Sequence, residues 1–255
     1  MAAPDRLKLL TRLTEATPDW VLTKGAAAAL DGRGDVDCAA PAAELGSVWD
    51  AVSAWAAETG RGPVLTCDHL EGTVVLAVVE PGPVTTLVQI DLLDHRLRRG
   101  VIVLRATDLL RSTIVDPAGF RSASAGAEAV ARLLLDEWRP GGAAPGAAAI
   151  TALSGLLQQD PAGAAAVTAG LDPRLQAAVE KLSTGTWPRR ELQGAELGYL
   201  ARCLRRPDQL ADRIRAAPAR RSCPLLAALA NERTVEGDLG EFLTAFGRHH
   251  PNARL

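Results

Sequence analysis

A chain of 255 residues is long enough for one large domain or two of ordinary size. Its composition, 47% hydrophobic and 23% charged, is that of a folded globular protein, and an aromatic share of 4% beside abundant alanine points to helices with a core of small side chains. With 28 Lys plus Arg against 30 Asp plus Glu, the formal charge of -2 excludes a global electrostatic pull toward nucleic acid or an anionic membrane.

The N-terminal "MAAPDRLKLLTRL" alternates charges with leucines, unlike a secretory leader, and no window reaches the ~18 apolar residues of a membrane span. The expectation is a cytoplasmic protein without a membrane partner. Cys38, Cys67, Cys203 and Cys223 have no CxxC spacing and are read as free thiols.

Taken in chain order, residues 5–16 carry leucines at 7, 9, 10 and 13, which predicts a helix ended by Pro18. "WVLT" (20–23) and "DVDCA" (35–39) read as short strands, with "AAAAL" between them as the start of a helix. In 45–60, Val48, Val52, Trp55 and Ala56 share one helical face. Residues 62–70, 73–80 and 84–93 read as three strands of an antiparallel meander, joined by "EG" and "PGP" turns. A mixed strand and helix segment follows, and then an amphipathic helix over 125–138.

"RPGGAAPGAAA" (139–149) is the strongest break in the chain, and beyond it alanine- and leucine-rich runs are punctuated by "QDPAG", "LDPR", "TWPRR" and "RRPDQ". The predicted architecture is α+β: a small mixed sheet flanked by helices over residues 1–138, and an all-helical domain of five to seven short helices, without strands, over 150–255.

Chemistry concentrates in the first part. If "DVDC" is extended, Asp35 and Asp37 project to one face, and two like charges held that close call for a cation between them. A hard divalent ion with oxygen ligands, Mg²⁺ or Mn²⁺, suits such a pair. Asp91, inside the apolar "TTLVQIDLL", needs a partner of its own and is the candidate third ligand. Upstream, Gly25 ends a strand where backbone can approach a bound group, and Lys24 and Arg33 could neutralise phosphate charge. The competing structural reading makes Asp35 a turn cap, Asp37 a surface group and Asp91 the acceptor of a backbone hydrogen bond.

The series "LTKGA", "GRGDVDC" and "VQIDL" resembles the nucleotidyltransferase superfamily with the DNA polymerase β-like palm. Gly25 falls on the first glycine of its pattern, Gly34, Asp35 and Asp37 on the second motif, and Asp91 on the third acid; the resemblance covers roughly residues 5–115. Ala26 stands where the family has Ser or Gly. The resemblance implies an enzyme that transfers a nucleoside monophosphate from a nucleoside triphosphate such as ATP. Asp35 and Asp37 would hold the metal, Asp91 would complete the site or act as general base, and Lys24, Gly25, Arg33 and Gly34 would lie against the nucleotide. Neutral charge favours a small-molecule or protein acceptor over RNA. Two alternatives are a non-catalytic binding or scaffold protein, suggested by Ala26, and a toxin-like nucleotidyltransferase acting on tRNA.

Elsewhere, "CDHLEG" (67–72) reads as a polar cluster beside a turn rather than a Cys/His metal site, and "DHRLRRG" (94–100) as a basic loop from which Arg96, Arg98 or Arg99 could reach a substrate. The terminal "GRHHPNARL" reads as a tail, and the Arg pairs at 189–190, 205–206 and 220–221 as helix-end charges.

Overall fold

The structure, a computed structural model, describes residues 3–32, 34–70, 72–80, 86–205 and 225–226. Helix α1 (Ala3–Ala16) buries Leu9, Leu10 and Leu13 completely. After Pro18 the chain enters β1 (Val21–Leu22), turns through the short α2 (Ala26–Leu30) and continues as β2 (Val36–Ala39). Helix α3 (Leu45–Glu58) buries Val48, Ala51, Val52, Trp55 and Ala56, the i, i+3, i+4, i+7, i+8 series of an amphipathic helix. The meander is β3 (Val64–Leu70), β4 (Thr73–Glu80) and β5 (Thr86–Leu93), antiparallel in both pairings. Its "PGP" turn and Glu71 lie outside the described residues.

The segment read as a basic loop is instead a hairpin: β6 (His95–Arg98) pairs with β7 (Val101–Arg105) in a sheet of its own. Then come α4 (Ala106–Leu109), β8 (Thr113–Val115), β9 (Arg121–Ala123) and α5 (Ala125–Arg132), whose last turn runs on as a π-helical turn over Leu133–Glu137. The second half supplies α6 (Ala147–Gln159), α7 (Pro161–Thr168), α8 (Pro173–Ser183) and α9 (Arg189–Leu204). Pro161 and Pro173 occupy first-turn positions where no N–H is needed, and Asp160 and Asp172 cap those helices by accepting from the Gly163 and Arg174 amides.

One mixed sheet unites the fold, in the order β10-β3-β4-β5-β2-β1-β9-β8, where β10 is Leu225–Leu226. β2 lies parallel to β5 and β1 parallel to β9, and the other pairings are antiparallel. The expected sheet flanked by helices is therefore present. The expectation of a strand-free second half is not met, because β10 extends the sheet at the edge of β3. A two-residue strand carries no periodicity by which a sequence could announce it.

Neighbouring residues in the central strands divide between two cores, as a period of two requires. Leu22, Val36, Cys38, Ile90 and Leu92 pack under α1 and α3. Val21, Ala39 and Leu93 join an opposite cluster with α5, α6, α8 and α9 that continues across the Pro- and Gly-rich stretch to Tyr199. Cys38 is a buried free thiol, and Cys203 is buried in α9. Among the described residues no helix is long and apolar enough to cross a membrane.

Candidate active site

The parallel register of β2 and β5 sets Val36 beside Ile90 and Asp37 beside Asp91. Neighbouring strands lie about 4.8 Å apart, so Asp37 and Asp91 project side by side from the face opposite Val36 and Ile90. Two residues earlier on the same face stand Asp35 and Gln89. The Gln89 side-chain amide donates to Asp35 Oδ2 at 3.2 Å and to Asp91 Oδ1 at 2.8 Å. Three carboxylates thus share one patch of sheet, two of them tied by the Gln89 amide.

Lys24 follows β1 directly. Its ammonium lies 3.4 Å from Asp37 Oδ1 and donates to both oxygens of Asp136 at 2.8 Å. Asp136 belongs to the π-helical turn after α5, a local widening that often marks functional sites. Burial opposes charge on Lys24, but Asp37 and Asp136 together outweigh it and hold the ammonium above its ordinary range. Asp37 responds the other way: burial first, then the charges of Asp91 and Asp136, exceed the pull of Lys24 and push its carboxyl up to about 6.

Gly25 adopts the left-handed conformation, φ 68 and ψ 34, that turns β1 into α2, a geometry that costs a side-chain-bearing residue about 1 kcal/mol or more. Its amide points to Glu128 Oε1 of α5 at 3.4 Å, and Glu128 is also 3.7 Å from Arg132. Gly34 is likewise left-handed, φ 79, at the entry to β2. Arg33, expected beside the nucleotide, lies outside the described residues, as do the side chains of Cys67 and His69.

The structure therefore brings Lys24, Gly25, Gly34, Asp35, Asp37 and Asp91 to one end of the central strands β1, β2 and β5. It adds Gln89, Glu128 and Asp136. Among the described residues no group of three or more His, Cys, Asp or Glu side chains has the arrangement of a formed metal centre. In donor chemistry the patch fits a hard cation, with carboxylate oxygens on one face and a carboxyl whose pKa is raised first by burial and then by its like-charged neighbours. In this conformation Lys24 and Gln89 supply positive and donor groups to those oxygens. Glu128 of α5 and Asp136 of the turn after it were missed because only the tertiary fold carries them there, although "LLLDEW" does show an acid inside an apolar run.

Arg98 and Arg99 do not reach this patch. Arg98 stacks 4.2 Å over the Trp138 ring and donates to its carbonyl at 2.6 Å, while Arg99 Nη2 donates to Glu196 of α9 at 3.1 Å. Their role is to fasten the β6–β7 hairpin to the helices.

No family model matches the chain, and no curated protein and no solved structure matches it significantly.

Proposed function

We propose that the chain is a divalent-cation-dependent nucleotidyltransferase that moves a nucleoside monophosphate from a nucleoside triphosphate to a hydroxyl or amine of a small molecule or protein. The observation that carries this reading is the parallel register of Asp37 and Asp91, with Asp35 on the same sheet face and a left-handed Gly25 at the end of the adjoining strand. Asp35, Asp37 and Asp91 would hold Mg²⁺ or Mn²⁺, which when bound supplies charge stabilisation to the triphosphate. The chain's own groups do the rest. Asp91 accepts the proton of the acceptor hydroxyl or amine as that atom bonds to the α-phosphorus and the bond to pyrophosphate breaks. Lys24 turns its ammonium from Asp136 toward the phosphates, and the backbone at Gly25 and Gly34 leaves room for them.

Lys24 favours a second reading. An ammonium seated between Asp37 and Asp136 fills the positive position permanently in a protein that has kept the acidic patch for binding or scaffolding alone. The two separate in one experiment. The pure chain is incubated with each α-labelled nucleoside triphosphate, Mg²⁺ and a mixed pool of small-molecule acceptors, beside Asp35→Ala. Label transfer that falls at least about a hundred-fold in Asp35→Ala supports the enzyme. Absence of nucleotide binding, with the variant behaving as wild type, removes it.

A further inference from the structure

A cavity of about 410 Å³ opens between β7, α4, the turn joining α7 to α8, and α9. Its lining includes Arg105, Arg111, Arg202, Asp108, Asp172 and Tyr199. The two carboxylates are engaged within the wall. Asp108 is 9% exposed, accepts from the Arg105 backbone amide at 2.9 Å and lies 3.4 Å from Arg111 Nη1. Asp172 is 7% exposed and accepts from the Arg174 amide and from Arg202 Nη2, each at 3.0 Å.

The cations stand outside them. Arg111 is 47% and Arg202 59% exposed, and each guanidinium has five N–H donors of which the wall uses few. Arg105 is exposed and makes no ion pair with a described residue. Tyr199 is 2% exposed, its ring lies 6.2 Å from that of Trp138 and 5.6 Å from the Arg202 guanidinium, and its hydroxyl has no hydrogen-bond partner among the described residues. The ring is buried, but the hydroxyl oxygen itself is open to solvent at the cavity wall. Burial, then the neighbouring Asp172, pushes that phenol up, so it is an O–H donor at neutral pH.

The free hydrogen-bonding capacity of the cavity is thus donor-rich, and its three guanidiniums outnumber its two carboxylates. We propose that this cavity binds a small ligand through an oxyanion, a phosphate or a carboxylate, held by Arg111, Arg202 and the Tyr199 hydroxyl. Guanidiniums grip both groups in bidentate fashion, and a hydroxyl on a ring already fixed by burial adds little ordering cost. The site uses none of the residues assigned to nucleotide transfer, and it stands or falls separately from that reading.

Tyr199 is the single tyrosine of the chain, so incorporation of 3-fluorotyrosine gives one ¹⁹F resonance that reports on this cavity alone. The full chain is titrated with inorganic phosphate, with acetate and, at matched ionic strength, with chloride. A saturable shift with phosphate or acetate and not with chloride is expected, the stronger of the two naming the group recognised. Arg111→Gln, at a half-exposed side chain that leaves the core intact, weakens the apparent affinity at least about ten-fold, and Arg202→Gln does the same. If neither oxyanion produces a saturable shift at tens of millimolar, or if the shift survives both substitutions unchanged, the proposal is overturned.

Discussion

Lys24 and Asp136, 112 residues apart in the chain, meet with the ammonium 2.8 Å from both carboxylate oxygens, and that contact closes one side of the acidic patch. The same ammonium is the main favourable charge on Asp37, whose other neighbours in the patch, Asp91 and Asp136, are negative. Lys24→Met removes the lowering influence of the ammonium and leaves burial and two like charges, so the Asp37 carboxyl should titrate above about 6. Carboxyl ¹³C chemical shifts followed against pH give the value directly. A midpoint at or below that of the wild type means that Lys24 does not govern Asp37.

The raised carboxyl also makes stability depend on pH. Asp37 ionises near 3.8 in the unfolded chain and near 6 in the folded one, so between those values the folded state binds more protons. Well below 3.8 the group is protonated in both states and costs nothing. As pH rises from 4 to 6 the unfolded chain ionises first and the folded state loses ground, and above 6 the penalty is constant. Asp37→Asn cannot ionise. It should match wild type in urea unfolding at pH 3 and exceed it at pH 7.5, by an amount on the order of 1–3 kcal/mol. Equal stabilities at pH 7.5, or an advantage confined to low pH, contradict this assignment. A stabilising loss of a charged group is the usual sign that the charge is kept for function.

Local chemistry was legible in the sequence where it depended on near neighbours. The alternation of Asp35, Val36, Asp37 and Cys38, the helical face of α3 and the Asp-Pro caps of α7 and α8 all follow from periods of 2 and 3.6 and from the missing proline N–H. What pairs with what was not legible. That β2 lies parallel to β5, which sets Asp37 beside Asp91, is decided by the burial of both strands under α1 and α3, a contact between distant segments. Gln89 and Asp136 entered the patch for the same reason. "HRLRRG" read as a basic loop because three arginines surround its single leucine, and two of them, Arg98 and Arg99, reach Trp138 and Glu196. The π-helical turn at Leu133–Glu137 was invisible because "LLLDEW" continues the apolar spacing of α5.

Helices α5 and α7 come together at two glycines. A Cβ on Gly126 would sit 2.1 Å from the Asp160 carbonyl oxygen and 2.4 Å from the Ala164 amide nitrogen, and both are backbone atoms that cannot swing aside. The Gly126 amide in turn donates to Asp160 Oδ2 at 3.1 Å, so the close approach is fixed by a hydrogen bond as well as by packing. Gly126→Ala should therefore cost roughly 2–3 kcal/mol, as overpacked cores do, despite the better helix propensity of alanine. Gly155→Ala, in the interior of α6 with nothing within 4 Å of the new methyl, is the control and should gain about 0.5–1 kcal/mol. Chemical denaturation of the two variants reads both signs, and a neutral Gly126→Ala means that the α5–α7 contact is looser than drawn.

Glu196 of α9 joins three separate parts of the molecule. Its carboxylate accepts from Arg99 Nη2 at 3.1 Å and from the Gly141 amide at 3.2 Å, and lies 3.9 Å from Arg98 Nη2. The Arg98 and Glu196 side chains are 13% and 12% exposed, so water compensates little if one is removed. Burial already lowers the affinity of Arg98 for its proton, and the charge of Glu196 opposes that. Glu196→Ala leaves a buried guanidinium without its counter-charge and an amide without its acceptor, and should destabilise the chain by about 3 kcal/mol. Replacing Arg98 by Met in the same chain removes the stranded charge and should recover a good part of that loss, since a guanidinium stem stacked on Trp138 is matched in shape by an unbranched apolar side chain. A double-mutant cycle in urea measures the coupling. Strictly additive losses, with no recovery in the double variant, mean that Glu196 acts through the Gly141 amide and Arg99 rather than through the buried charge of Arg98.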